Sequence, residues 1–127
     1  MPATGVRKAG SGGSKGEEAL AFALRAIGKY HVEREYRWHP TRRFRSDFAI
    51  WRSAAENDAG TLPLLVEIDG AKRGKPGAHQ TVDGVDYDCR RSAEALVRGY
   101  VMLRVSTRMV KDGTALNHIE SLMDPPA

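Results

Sequence analysis

The sequence predicts an α/β domain in which helices flank one mixed central sheet. Two long segments and a shorter one repeat their apolar residues at helical spacing, and the middle of the chain alternates apolar and polar residues as strands do. A nearly continuous apolar run before the C-terminal segment is typical of a buried strand. The predicted order is α-β-β-β-α-β-α, with helices near 14–30, 86–98 and 116–123 and strands near 32–38, 43–51, 62–69 and 100–105.

The first helix carries its own start signal. Ser14 is suited to the N-cap, and Glu17 stands three residues later, where a capping-box acid is expected. Three apolar residues then follow on one face: Leu20, Leu24 and Ile27. Because Glu17 precedes Leu20 by three positions, its side chain begins that same inward face.

The next strands form a predicted hairpin. In "RFRSDFAIW" the side chains of Phe44, Phe48 and Ile50 share one parity, whereas Asp47 has the other. The polar stretch 53–61 is predicted to be a turn, so the following strand should pair antiparallel. On that strand, "LPLLVEID", two acids share the face opposite the main apolar row: Glu67 and Asp69.

The C-terminal half completes the fold. Asp86 or Asp88 is expected to cap the second long helix, and Gly99 suits the position just past its end. The buried strand "YVMLRV" follows, and the turn "KDGT" leads into an extra C-terminal helix.

Length and composition limit the function classes. A chain of 127 residues suits one domain, predicted at 15–127 after a flexible, basic, Gly/Ser-rich tail at 1–14. The formal charge is +4, and 14 of the 20 basic residues are arginines, which favour contacts to phosphate. The single cysteine, Cys89, excludes an internal disulfide and fits a reducing compartment. With neither a membrane-length apolar run nor a signal-peptide pattern, we expect a cytoplasmic protein without a membrane partner.

Three acids are candidate metal ligands. Glu67 and Asp69 project from one face of their strand, and Asp47 on the neighbouring strand can lie beside Glu67. Converging carboxylates repel each other, and a hard divalent cation such as Mg²⁺ relieves that repulsion. Each acid has an alternative explanation as a solvent-facing strand end, and Glu17 has one as a capping residue.

The loop after Asp69 is rich in glycine and basic residues. His79 can orient or deprotonate water beside a metal site, or be a plain surface histidine. The basic side chains of this loop and of the first hairpin are candidate contacts to a nucleic-acid backbone: Lys72, Arg73, Lys75, Arg42, Arg43 and Arg45.

The motifs in this order resemble the PD-(D/E)XK nuclease superfamily. The resemblance spans roughly residues 17–111. It depends on a helix acid, "RSDFAI" on the second strand and "LVEID" on the third. The nearest branch contains small phage and bacterial endonuclease-like proteins, and the very-short-patch-repair endonucleases are similar in lacking the usual lysine. The implied fold is a single-domain restriction-endonuclease-like αβββαβ core.

The resemblance also implies roles for particular residues. Asp47 matches the metal-binding aspartate, Glu67 the second acid and Glu17 the helix acid of some members. Asp69 stands where many members have a catalytic lysine, so it is either an extra metal ligand or a loss of function. His79, Lys72 or Lys75 would then supply the missing group.

The implied activity is Mg²⁺-dependent hydrolysis of DNA phosphodiester bonds, with Mn²⁺ as a substitute metal and with structure-selective or nicking cleavage favoured. The alternative is a catalytically inactive nucleic-acid-binding module that keeps the fold. RNA as the substrate and a homodimer both remain open.

Overall fold

The computed structural model describes residues 14–69 and 81–125, and it confirms the mixed α/β class. The described part contains five helices: α1 (Lys15–Ile27), α2 (Ala54–Asp58), α3 (Val82–Val97), α4 (Thr107–Lys111) and α5 (Thr114–Met123). It also contains four strands: β1 (His31–Arg37), β2 (Arg45–Trp51), β3 (Leu64–Asp69) and β4 (Val101–Ser106). None of these helices is both long enough and apolar enough to cross a membrane.

The four strands form one mixed sheet in the order β1-β2-β3-β4. β1 and β3 each pair antiparallel with β2, and β4 pairs parallel with β3. The predicted β2–β3 hairpin is therefore confirmed. Phe48 lies opposite Val66, so Asp47 and Glu67 are the next residues outward on their two strands.

Each face of the sheet carries its own apolar core. Helices α1 and α5 cover one face, where Phe48 and Val66 are fully buried. Leu65 of β3 and Ala95 of α3 belong to the core on the other face. Phe44 was predicted to share the face of Phe48, but it precedes β2 and packs in the second core, since strand alternation does not extend beyond the strand.

Two predictions of local structure between the strands were wrong. The polar stretch expected to be a turn contains helix α2, whose N-cap is Ser53. Helix α3 begins at Val82 with Thr81 as its N-cap, so Asp86 and Asp88 lie inside the helix rather than at its start. Thr81 accepts from the backbone N–H of Gly84, and this cap takes the place of the predicted aspartate.

A glycine brings the start of α1 against the end of β3. A Cβ atom at Gly16 would lie 2.8 Å from Thr107 Oγ1 and 3.0 Å from Ile68 Cγ2. Only a residue without a side chain permits this approach. The predicted N-cap is confirmed: the Ser14 hydroxyl accepts the backbone N–H of Glu17 at 3.1 Å. Together these contacts fix Glu17 beside the end of the sheet.

Candidate metal centre

Three carboxylates converge where α1, β1 and β2 meet. Glu17, Glu35 and Asp47 each offer an oxygen, and these oxygens all lie within 4.8 Å of one another. Oxygen ligands in such number suit a hard divalent cation. The structure thus brings two of the sequence-predicted acids together and adds a third, Glu35, that the sequence did not single out.

Glu35 has an unusual backbone. It lies on β1 opposite Asp47, between the paired residues Arg34 and Tyr36, and its φ is 53°. A non-glycine residue in this left-handed region costs about 1–3 kcal/mol and persists only where its surroundings enforce it. Strain of this kind is concentrated at functional sites, which makes Glu35 a candidate ligand.

Burial and negative neighbours perturb Glu17. The residue is 8% exposed, and its Oε1 accepts no hydrogen bond from the described residues. Burial raises the pKa of Glu17 to about 7, and the nearby carboxylates of Asp47 and Glu35 add to the rise. The charge of Arg34 lowers the pKa of Glu17, but Arg34 Nη2 lies 3.7 Å from Oε1, which is too far for a hydrogen bond. A bound cation would relieve the same repulsion.

Asp47 is held by the neighbouring strand. Its Oδ2 accepts the backbone N–H of Ile68 at 2.8 Å. This bond fixes the carboxylate at the open end of the β2–β3 pair, so the acid needs no rearrangement to act as a ligand.

Glu67 and Asp69 have different surroundings from those of the three-acid cluster. Glu67 is 9% exposed and forms a two-pronged ion pair with Arg91 of α3, with Nη2 2.7 Å from Oε1. Asp69 is more exposed and lies 3.7 Å from Arg104 Nη2. Their shared face was predicted correctly, but each acid is engaged by an arginine in the structure.

A cleft of about 690 Å³ opens beside these residues. Asp47, Glu35 and Glu67 line it, together with basic residues of the hairpin and of α3: Arg43, Arg45 and Arg91. A mixed wall of acids and arginines is suited to a phosphate bound through a cation.

The remaining predicted site residues fall outside the cleft wall or outside the described chain. Arg42 is exposed, and its guanidinium stacks over the ring of Phe44 at 4.7 Å. Four candidates belong to residues 70–80, outside the described ranges: Lys72, Arg73, Lys75 and His79.

Two functional candidates escaped the sequence reasoning. A hairpin register counted through the turn at His39-Pro40 would have set Glu35 opposite Asp47. No comparable signal existed for Arg91, because its contact with Glu67 depends on how α3 packs on the sheet.

Comparisons with protein-family models, curated proteins and solved structures gave no match to this chain.

The shifted pKa of Glu17 gives a pH prediction. Between about pH 4.5 and about 7 the folded chain keeps the Glu17 proton while the unfolded chain has lost it. The free energy of unfolding should therefore fall as pH rises through this window, by at most roughly 3 kcal/mol.

Urea unfolding in EDTA at several pH values between 4.5 and 8 measures this effect. Glu17→Gln should remove most of the fall, whereas Glu120→Gln on α5 should leave it intact. Parallel pH profiles for the wild type and Glu17→Gln would contradict the assignment.

Proposed function

We propose that the protein is a divalent-metal-dependent endonuclease that hydrolyses DNA phosphodiester bonds. The observation that carries this proposal is the cluster of Glu17, Glu35 and Asp47 beside a cleft walled by arginines. Within that cluster a buried Glu17 oxygen lacks a hydrogen bond from any residue that the structure describes. The motif order that resembles the PD-(D/E)XK superfamily supports the same reaction class.

The chain's residues divide the work of such a reaction. Glu17, Glu35 and Asp47 would hold the cation, and Mg²⁺ or Mn²⁺ fits their all-oxygen donor set. When bound, such a cation lowers the pKa of water and offsets charge on the phosphate. In the metal-free chain the pKa of Glu17 is about 7, so binding the cation there would release a proton near neutral pH. Arg43 and Arg45 would bind the phosphate backbone along the cleft.

Direct cleavage tests the proposal. Branched, duplex and single-stranded DNA, with RNA in parallel, would be incubated with the protein in Mg²⁺, Mn²⁺ or EDTA. We expect DNA cleavage with either metal and none in EDTA. No cleavage of any substrate, or equal cleavage in EDTA, would contradict a metal-dependent nuclease.

A non-catalytic nucleic-acid-binding module is the second candidate. The observation that favours it is the ion pair between Glu67 and Arg91, which already engages the second acid of the motif. Under this alternative the protein binds DNA with or without metal and never cuts it.

Binding to DNA should depend steeply on salt, since arginines release counterions from the phosphates. We expect the double variant Arg42→Ala/Arg43→Ala to flatten the slope of log K against log salt by about one unit per lost contact. Arg45 is left in place because its Nη1 lies 3.5 Å from Glu35.

The measurement is fluorescence anisotropy with labelled duplex DNA in EDTA. The matched control is Arg25→Ala/Arg98→Ala, which alters the far ends of α1 and α3. If both double variants keep the wild-type slope, the DNA binds on another surface.

A further inference from the structure

Arg91 is a buried cation in the wall of the candidate site. Its side chain is only 7% exposed, and both terminal nitrogens face Glu67. Nη2 also lies 3.3 Å from Asp88 Oδ1, one turn earlier on α3. A planar guanidinium held by two carboxylates has a fixed orientation.

The charge of Arg91 also acts on the three-acid cluster. Arg91 and Asp47 line the same cleft. Glu67 lies across the β2–β3 pair from Asp47, one residue beyond the paired Phe48 and Val66. Burial and the charge of Arg104 lower the pKa of Arg91, while Asp47 raises it. Arginine nevertheless stays protonated in proteins, so this positive charge is permanent.

The other side of Asp47 is built differently. Glu17 has Arg34 at 3.7 Å, and its Oε1 lacks a hydrogen bond in the described chain. Glu35 contacts Arg45 at 3.5 Å, but the Arg45 side chain is 55% exposed. Because the Arg45 side chain is more than half exposed, its pair with Glu35 is weak.

We propose that Arg91 is a built-in second cation, so that the chain binds one divalent ion at Glu17, Glu35 and Asp47 while Arg91 occupies the Glu67 side. This inference rests on the proposed function insofar as it takes the three-acid cluster to be a metal site. Arg91 is a positioning residue here: it holds Glu67 and supplies, in the same cleft as Asp47, the positive charge that a second cation would otherwise supply.

Counting bound Mn²⁺ tests the inference without any need for cleavage. Equilibrium dialysis and electron paramagnetic resonance at pH 8, where Glu17 is ionised, should give one Mn²⁺ per wild-type chain. Arg91→Met keeps an unbranched apolar side chain but removes the charge, and it should raise the count to two. The matched control is Arg90→Met, whose wild-type side chain is 69% exposed beside Asp86 on the same helix, and it should leave the count at one.

A second variant guards against misfolding. Arg91→Met/Glu67→Gln removes both buried charges, so it should remain folded and bind one Mn²⁺. Two ions on the wild type or on this double variant would overturn the inference, as would one ion on a folded Arg91→Met.

The outcomes separate the inference from the proposed function. A wild type that binds one Mn²⁺ but cuts no nucleic acid keeps the inference and loses the nuclease. DNA cleavage by a chain that binds two ions does the reverse. A wild type that binds no Mn²⁺ overturns both.

Discussion

Asp47→Asn should lower metal-dependent DNA cleavage by about 10³-fold or more, because the cation and its activated water account for several kcal/mol of the barrier. Asp47 lies in the three-acid cluster, lines the cleft and is the acid of the cluster that lies across the β2–β3 pair from Glu67. An amide in its place contributes no charge, so the cluster loses the ligand that connects its two sides.

The fold should survive this change. Asparagine has nearly the same volume as aspartate, and its amide oxygen can still accept the backbone N–H of Ile68. Removing one of three clustered negative charges also lowers the repulsion on Glu17, so we expect the metal-free variant to be at least as stable as the wild type at pH 8.

Thermal melting and cleavage measured together check both statements. Mg²⁺ should raise the melting temperature of the wild type and have little effect on Asp47→Asn, since ligand stabilisation scales with occupancy. Asp58→Asn, at the exposed end of α2, is the matched control and should behave as the wild type in both assays. An Asp47→Asn protein that still cuts DNA at the wild-type rate would remove Asp47 from the mechanism.

The strands could be predicted because the alternation of apolar and polar residues in each one shows which face is buried. Alternation in β2 and β3 put Asp47 and Glu67 at adjacent ends of a hairpin, and helical spacing put Glu17 on the inward face of α1. These are local patterns, so the sheet face and the helix face followed from the sequence.

What escaped prediction depends on long-range or unusual geometry. The residues around Glu35 have the pattern of an ordinary strand. Its positive φ is imposed by its surroundings rather than by its residue type, so the sequence carries no sign of it. Arg91 lies 24 positions from Glu67, and the helix that carries it also begins earlier than predicted, at Val82. Gly84 and the acidic run near it hid that first turn, since they interrupt the apolar repeat.

Breaking the ion pair between Arg91 and Glu67 from one side should lower the free energy of unfolding substantially. Arg91→Met leaves the Glu67 carboxylate buried without its cation, and breaking such a pair from one side typically costs about 3–5 kcal/mol of unfolding free energy. Glu67→Gln should cost less, because Asp88 still lies 3.3 Å from the guanidinium. Side-chain volume alone would predict almost no effect of Glu67→Gln, so this variant separates packing from charge.

A double-mutant cycle in urea, with EDTA present, measures the pair directly. Arg91→Met/Glu67→Gln should recover most of the stability lost in Arg91→Met, since the buried Glu67 carboxylate is gone and Asp88 keeps Arg104 at 3.9 Å. The same cycle on the exposed pair of Arg90 and Asp86, also on α3, is the control and should give a coupling below about 1 kcal/mol. Additive single effects at Arg91 and Glu67 would mean that water screens the pair, and the buried cation would then lose its physical basis.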